Sequence, residues 1–160
     1  MIRKAELNDL ATIEEIYKTA REFMKENGNS TQWGDKYPEE ELLIDDISKK
    51  QLYVVEEAGI IYGVFAFIIG EDETYKVIDK GKWLSTDAYG TIHRIASNGK
   101  IKGIFDKVVA YCFNEINHLR IDTHFDNKIM HHLIEKSGFI KCGIIYVVDG
   151  SPRIAYEKID

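Results

Sequence analysis

The chain has 160 residues, of which 44% are hydrophobic and 30% are charged, and its formal net charge at pH 7 is -6. This length predicts one domain that buries roughly 70% of the surface exposed by the unfolded chain. The negative charge argues against a nucleic-acid-binding protein, because such proteins present a basic face to phosphates. No apolar run reaches the ~18 residues of a membrane span, and the N-terminus becomes polar too soon for a secretory signal. Cys112 and Cys142 lack the spacing of a metal or redox motif, so we expect a reducing cytoplasm.

The first half of the chain predicts a strand, two helices and a hairpin. Residues 2–5 favour a short strand, and the apolar stripe over 10–24 predicts an amphipathic helix. A second helix is expected to begin near Pro38, and the acidic run over 39–46 predicts a solvated face on it. Two segments rich in β-branched and aromatic residues flank an Ala-Gly pair within 51–70, which predicts a β-hairpin.

A polar segment over 70–88 opens the second half of the chain, and Tyr75 and Trp83 are expected to anchor it. Strands then alternate with helices. The predicted elements are a strand at 89–97, a helix at 103–117, a strand at 119–124, a helix from Asn127 to Gly138, and strands at 139–148 and 153–158. Strand–helix–strand crossovers connect parallel strands. The order therefore predicts an α/β (α+β) fold, a twisted mixed sheet of about seven strands flanked by about four helices.

The turn SNGKIKGIF, which follows the strand at 89–97, is a candidate anion site. The first amides of a helix lack intrahelical partners, and the helix dipole attracts an anion towards them. Lys100 and Lys102 add positive charge beside these amides. A solvated basic connector, closed by glycine, explains the same residues. Neither GxGxxG after a strand nor GxxxxGK[ST] occurs, so a Rossmann or P-loop site has little support.

Several segments, taken together and in order, resemble the GNAT N-acetyltransferase superfamily over nearly the whole chain. They are the two-helix N-terminal region, the hairpin, the strand HRIAS with its basic turn and helix, and the segment DNKIMHHLIEKSGFIKCG. The last segment matches the family pattern at Asn127, Lys136, Gly138 and Phe139. The stretch GNSTQWGDKYP is similar to the substrate-side loop of one bacterial branch. The resemblance implies a GNAT-like single domain over 1–160 that uses acetyl-CoA and no metal.

The resemblance also implies where acetyl-CoA binds. In this family two neighbouring parallel strands separate and coenzyme A lies in the opening, so we expect a gap between the strands at 89–97 and 119–124. The strand backbone would pair with the pantetheine arm, and the turn amides and lysines would hold the pyrophosphate. The turn here is shorter than the family's and lacks one of its glycines. The implied cofactor-binding residues are Ile95, Ala96, Ser97, Lys100, Ile101, Lys102, Gly103, Ile104, Phe105 and Asn127.

Acetyl transfer needs a deprotonated amine, a polarised thioester carbonyl and, optionally, a general acid. Family members commonly carry that acid as a tyrosine on the last helix, where this chain has Ile134. A backbone amide near Ile95 is the candidate for polarising the carbonyl. His124 and His93 lie on the strands expected to separate and are candidate bases. Asp122 shares a strand face with His124 and is expected to orient its imidazole. Alternatively, these are polar residues at strand ends, satisfied by their neighbours.

Two further groups of residues invite interpretation. Gln32, Trp33 and Tyr37 lie in the glycine-flanked loop and are the predicted substrate-binding residues, although Trp33 alone would equally anchor the loop to the core. His131 and His132 cannot both point inward from one helix, so we expect an exposed pair rather than a metal site.

These observations predict a cytoplasmic enzyme that transfers an acetyl group from acetyl-CoA to an amine, on a small molecule or a protein. Neither nucleic acid nor membrane is an expected partner, and a homodimer remains open. The alternative is a non-catalytic GNAT-fold domain that binds coenzyme A or a small ligand as a sensor. A more distant alternative is a metal-dependent hydrolase that uses His93, His124 and Asp122.

Overall fold

The computed structural model describes residues 1–160 and contains seven strands and four α-helices. The elements in chain order are β1 (Ile2–Lys4), α1 (Leu10–Glu26), α2 (Glu40–Ser48), β2 (Leu52–Glu57), β3 (Ile60–Ile69), β4 (Gly90–Ser97), α3 (Ile104–Glu115), β5 (His118–Thr123), α4 (Lys128–Lys136), β6 (Ile140–Tyr146) and β7 (Pro152–Ile159). Short 3₁₀ turns lie at Leu7–Asp9 and Glu73–Tyr75. No helix is both long enough and apolar enough to cross a bilayer.

The seven strands form one mixed sheet in the order β1-β2-β3-β4-β5-β7-β6. The pairs β1–β2, β2–β3, β5–β7 and β6–β7 are antiparallel, whereas β4 and β5 are parallel. The β4–β5 register consists of Gly90 with Leu119 and Thr91 with Arg120, while β5 pairs with β7 along all of its residues. The predicted fold class, with its strand and helix numbers, is confirmed.

The chain divides into two compact units. The first comprises Met1–Phe67 with His93–Tyr111, and the second comprises Ile68–Ile92 with Cys112–Asp160. The expectation of a single domain over 1–160 stays a prediction.

In the first unit, helices cover both faces of the strands. Residues of α1 and α2, among them Ile13, Tyr17 and Leu43, pack in one cluster with alternate residues of β2 and β3. On the opposite face, Phe65 of β3 makes an edge contact with Tyr111 of α3. The hairpin turn at 58–59 has positive φ at both residues, the geometry that matches the twist of paired strands. Periodicity therefore predicted the apolar faces of this unit well.

In the second unit, the polar segment over 70–88 folds against β5 and β6. Tyr75 is buried and its carbonyl accepts a hydrogen bond from Trp83, so both predicted anchors lie in the core of this unit. Asp79 exchanges two backbone hydrogen bonds with Ile144 and thereby extends the sheet edge. A Cβ at Gly143 would lie 2.6 Å from the Asp79 carbonyl oxygen, so glycine is needed for this close approach.

Candidate active site

Arg94 is the most unusual backbone position of strand β4. Arg94 has φ = 52°, in the left-handed region, although it lies inside a strand and is not glycine. Such a conformation costs about 1–3 kcal/mol for an ordinary residue and persists only when its surroundings enforce it. Strained residues of this kind cluster at functional sites, so Arg94 marks β4 as part of a candidate active site.

Two buried side chains hold Arg94. The hydroxyl of Tyr17 donates a hydrogen bond of 2.6 Å to the Arg94 carbonyl oxygen. The guanidinium donates from Nε and Nη2 to Asp46 Oδ2, at 3.1 and 2.8 Å. Asp46 is 1% exposed, and its Oδ1 accepts a hydrogen bond from Gln51. The acidic run over 39–46 was predicted to be solvated, which is wrong at Asp46, because its partner lies on a strand that the helix periodicity could not reveal.

The polar groups of β4 divide between its two edges. The Asn98 amide donates to the Tyr62 carbonyl of β3 at 3.1 Å, and polar groups of successive strand residues point to alternate edges. Ala96 therefore faces β3, and its carbonyl oxygen would lie 3.3 Å from a Cβ at Gly63. Ile95 and Ser97 face the edge opposite β3. Of the three residues predicted to pair with pantetheine, Ala96 faces β3, and the roles of Ile95 and Ser97 stay predictions.

The turn between β4 and α3 is built from side-chain-to-backbone hydrogen bonds. Ser97 Oγ accepts from the Gly99 amide, and Asn98 Oδ1 accepts from the Lys100 amide, each at 3.0 Å. The Lys100 amide, which was predicted to hold pyrophosphate, thus donates its hydrogen bond to Asn98 instead. This hydrogen bond closes an Asx turn. The exposed ammonium group of Lys100 is the part of this residue that can contact an anion.

Helix α3 begins directly after Gly103, which has φ = 79°. The Gly103 carbonyl accepts a hydrogen bond from the Lys107 amide, which is the first helical hydrogen bond of α3. The amides that precede Lys107 in the first turn have no partner within the helix and point outward from its N-terminus. Ile104 and Phe105 bury their side chains, while Lys102 is exposed beside them. Gly63 leaves room for Ile104, because a Cβ there would lie 2.9 Å from Ile104 Cγ2. This arrangement suits an anion.

His124 lies just beyond β5, in the second unit. Its Nδ1 accepts a hydrogen bond of 3.0 Å from the Asp126 amide, and the Asp126 carboxylate lies 3.6 Å from the same nitrogen. Burial and the positive charge of Arg153 lower the pKa of His124. The ring is therefore neutral at pH 7, and its proton resides on Nε2, because Nδ1 is an acceptor. This tautomer suits donation from Nε2 better than proton removal.

The other two predicted catalytic residues are placed differently. Asp122, in the second unit, accepts a hydrogen bond of 2.6 Å from the buried Tyr75 hydroxyl, while the ring orientation of His124 is set by Asp126. His93, in the first unit, is half-buried in β4 and directly precedes Arg94. No three or more His, Cys, Asp or Glu side chains are grouped so that they could hold a metal ion, and the hydrolase alternative lacks a ligand set.

Helix α4 combines a cap, a partly buried histidine and a buried isoleucine. Asn127 caps it by accepting from the Met130 amide, which was not part of its predicted role towards the cofactor. His131 was expected to be exposed, but its Nδ1 lies 2.6 Å from the Tyr156 hydroxyl and its Nε2 lies 3.0 Å from the His124 carbonyl oxygen. The exposed pair is wrong for His131, because helix periodicity cannot show a tyrosine on a distant strand. Ile134 is fully buried.

The loop before α2 packs its aromatic residues together. Trp33 meets the ring of Tyr17 edge-on, with centroids 5.6 Å apart, and lies 6.3 Å from the ring of Tyr37. The Gln32 side-chain oxygen accepts from Asn29, which is itself buried. Trp33 thus anchors the loop to the core, whereas Tyr37 is 40% exposed and is the member of the set most accessible to a substrate.

Comparison with known proteins identifies the family. No protein-family model and no curated protein sequence matches the chain. Among solved structures, a GNAT-family acetyltransferase from Streptococcus agalactiae 2603 is 33% identical, with 100% of this chain and 95% of that chain covered and a TM-score of 0.85. A GNAT-family acetyltransferase from Listeria monocytogenes 4b F2365 is 19% identical, with 99% and 93% covered and a TM-score of 0.71.

A third solved structure carries ligands. The aminoglycoside acetyltransferase AAC(6')-Ib, in complex with coenzyme A and kanamycin, is 19% identical over 99% of this chain and 94% of that chain, with a TM-score of 0.70. The two more distant likenesses show the fold, and the likeness at 33% identity over almost the full length of both proteins shows the family. The chain belongs to the GNAT family of acetyltransferases.

Proposed function

We propose that this protein transfers an acetyl group from acetyl-CoA to an amine. The observation that carries the proposal is the left-handed Arg94 within β4, followed at once by a turn suited to an anion, in a chain of the GNAT family. Acetyl-CoA supplies the activated acetyl thioester for this reaction. The neighbouring enzyme AAC(6')-Ib binds coenzyme A, which supports the same cofactor here.

The residues after Arg94 fit the parts of acetyl-CoA in order. Ile95 and Ser97 present backbone polar groups on the β4 edge opposite β3, where an extended pantetheine chain can pair as a strand does. The first-turn amides of α3, together with the ammonium groups of Lys100 and Lys102, suit a pyrophosphate. The short β4–β5 register, which ends at Thr91, supports this placement.

The chemistry assigned to the chain consists of two hydrogen bonds and one proton removal. The Ile95 amide donates to the thioester carbonyl oxygen, which stabilises the negative charge that develops there as the amine attacks. His93 takes the proton of the amine, because the lone pair of His124 already faces the Asp126 amide. We assign to His124 a hydrogen bond donated from Nε2. The acceptor amine is bound by the loop that contains Gln32, Trp33 and Tyr37. The protein acts in the cytoplasm.

A binding domain without catalysis is the second candidate, and Ile134 favours it. This buried isoleucine occupies the position at which family members commonly carry the tyrosine that protonates the leaving thiolate. A thiol pKa near ~8.5 makes the thiolate a tolerable leaving group without that acid, so catalysis remains the first candidate. The loss of a general acid is expected to slow the reaction within the ~10²–10⁴-fold range of such catalysis.

The test is a calorimetric titration with acetyl-CoA and coenzyme A, followed by an assay of thiol release with a panel of amines. The panel contains kanamycin, a polyamine, free amino acids and a peptide with a free N-terminus. We expect acetyl-CoA to bind and at least one amine to be acetylated, as verified by mass spectrometry of the product. Tight binding without turnover of any amine would favour the sensor, and absence of binding would overturn both candidates.

A further inference from the structure

We propose that Tyr17 is a positioning residue for the Ile95 amide, and that Asp46 assists it through Arg94. Together they hold the peptide group between residues 94 and 95 so that its N–H points at the thioester carbonyl oxygen. The inference rests on the proposed function, since it assigns residues that prepare the site for that reaction. Neither side chain needs to touch the substrate, because each acts on the backbone of β4.

The first step concerns one peptide group. The Arg94 carbonyl and the Ile95 amide belong to the same planar unit, which is trans, so the two groups point in opposite directions. The Tyr17 hydroxyl binds the carbonyl oxygen at 2.6 Å, and this contact fixes the carbonyl towards α1. The Ile95 N–H is thereby directed away from α1. A hydroxyl on the buried face of α1 therefore sets the direction of the proposed oxyanion donor.

The second step concerns strain. A left-handed arginine within a strand is unstable unless contacts on both sides of its Cα hold it. Tyr17 holds the backbone carbonyl, and Asp46 holds the side chain through two charge-assisted hydrogen bonds. Gln51 binds the second oxygen of Asp46 at 2.8 Å and orients the carboxylate. The whole network lies inside the first unit, where Tyr17 and Asp46 are buried and Arg94 and Gln51 are partly buried.

The third step concerns why the residue is a tyrosine. Tyr17 is fully buried in an apolar cluster that a phenylalanine would fill with the same ring. Burial raises the pKa of its hydroxyl well above the ordinary value, so the group stays protonated and remains a donor at any working pH. The hydroxyl donates a hydrogen bond to the carbonyl oxygen of the strained Arg94. Packing alone would not require a hydroxyl at this position.

The experiment compares Tyr17→Phe with Ile13→Val, a packing variant of the same helix. Both residues belong to one buried cluster one helical turn apart, and Ile13→Val removes a methyl group but no polar atom. The main readout is the infrared stretching frequency of the thioester carbonyl in bound acetyl-CoA labelled with ¹³C at that carbon. This readout reports polarisation of the carbonyl and needs no acceptor amine.

We expect the carbonyl frequency in Tyr17→Phe to move back towards the value of free acetyl-CoA. We also expect kcat to fall by about 10- to 100-fold, with little change in KM or in the Kd for coenzyme A, since a misdirected oxyanion donor weakens only the transition state. Ile13→Val is expected to keep both the frequency and kcat of the unaltered protein. Asp46→Asn provides a second variant, with the same direction of change, if Tyr17→Phe does not fold.

Three results would overturn the inference, and they are separable. If the unaltered protein binds acetyl-CoA but the folded Tyr17→Phe variant keeps its carbonyl frequency and kcat, Tyr17 is structural and only the positioning role fails. If the unaltered protein does not bind acetyl-CoA, the proposed function fails and the positioning role fails with it. An equal loss of kcat in Ile13→Val would assign the effect to packing and also reject the role of the hydroxyl.

Discussion

Both units bury a carboxylate that binds an arginine, but the backbone around the two arginines differs. In the first unit Asp46 of α2 binds Arg94 of β4, and the φ of Arg94 is left-handed. In the second unit Glu157 binds Arg120 at 2.8 Å, and the two are direct cross-strand partners of regularly paired β5 and β7. One network therefore holds a conformation that the backbone disfavours, whereas the other reinforces one that it prefers.

The second network is also the more completely satisfied. Glu157 is fully buried and accepts hydrogen bonds from His118, Arg120 and the Leu84 amide. The guanidinium of Arg120 lies between the rings of Trp83 and Tyr89, about 4 Å from each centroid. His118 binds the Ala88 carbonyl oxygen through its other nitrogen. We infer that the network of Glu157 serves stability, while that of Asp46 serves the site.

The largest effect is expected from Glu157→Gln. The change leaves Arg120 and His118 without their negative partner in the interior, which should reduce the free energy of unfolding by about 3–5 kcal/mol. For a chain of this length that loss lowers Tm by about 10 °C. Glu135→Gln, an exposed change in the same unit, is the matched control and should alter Tm by less than about 2 °C. A Glu157→Gln protein as stable as the control would contradict a stabilising role.

Asp46→Asn tests the other side of the comparison. The uncharged amide leaves the buried Arg94 guanidinium without its counter-ion, and we expect a loss of about 2–3 kcal/mol in stability. Because the left-handed residue is then less firmly held, kcat should also fall at temperatures where the protein is fully folded. Asp45→Asn, on the same helix but exposed and paired with Lys49, is the control for both measurements. If Asp46→Asn altered stability alone, the distinction between the two networks would be lost.

Acid should act on the second network through Glu157. Burial alone would raise the pKa of this carboxyl, but hydrogen bonds from His118 and Arg120 outweigh it and hold the pKa below the ordinary 4.5. The stabilisation is therefore complete above about pH 4.5 and is lost as pH falls through the lower folded-state pKa. Urea midpoints measured between about pH 6 and pH 3 should fall less steeply for Glu157→Gln than for the unaltered protein. Parallel curves for the two proteins would show that another carboxylate governs acid unfolding.

His124 lies in the second unit and tests whether this unit also contributes to chemistry. With its proton on Nε2, the neutral ring is expected to donate a hydrogen bond, so His124→Ala should lower kcat/KM about tenfold at every pH. His124→Gln should recover part of that loss, because its amide N–H reaches the place of Nε2. His132→Gln, an exposed change nearby, should match the unaltered enzyme. If the acid limb of the pH profile instead disappeared in both His124 variants, the residue would be the base first predicted from the sequence.

The sequence predicted those parts of the fold that depend on local periodicity. The hairpin and the inward face of α1 with Tyr17 follow from patterns of apolar residues a few positions apart. Tyr75 and Trp83 were expected as the aromatic anchors of a polar segment, and both pack in the core of the second unit. The family resemblance added the prediction that the turn after β4 binds the pyrophosphate of acetyl-CoA. Neither source could reveal Asp46 as a buried partner, since it is one of several acidic residues of its helix and Arg94 lies far along the chain. A left-handed arginine likewise cannot be recognised from the sequence, because residues other than glycine adopt a left-handed φ only where tertiary contacts enforce it.

Exposed charges provide the smallest expected effect and complete the comparison of buried networks. Lys100 and Lys102 project from the turn after β4, and exposed lysines rarely contribute more than about 1 kcal/mol to folding. Replacing both by alanine should leave Tm nearly unchanged but weaken coenzyme A binding several-fold, because the pyrophosphate loses two nearby positive charges. The loss should shrink as salt is raised, since salt screens exposed charges. Lys4→Ala with Lys18→Ala removes two exposed lysines of the same unit and should leave the Kd for coenzyme A unchanged, as calorimetry at two salt concentrations can verify. Equal affinities for the two double variants would remove both turn lysines from the cofactor site and leave the amides of α3 as its anion-binding groups.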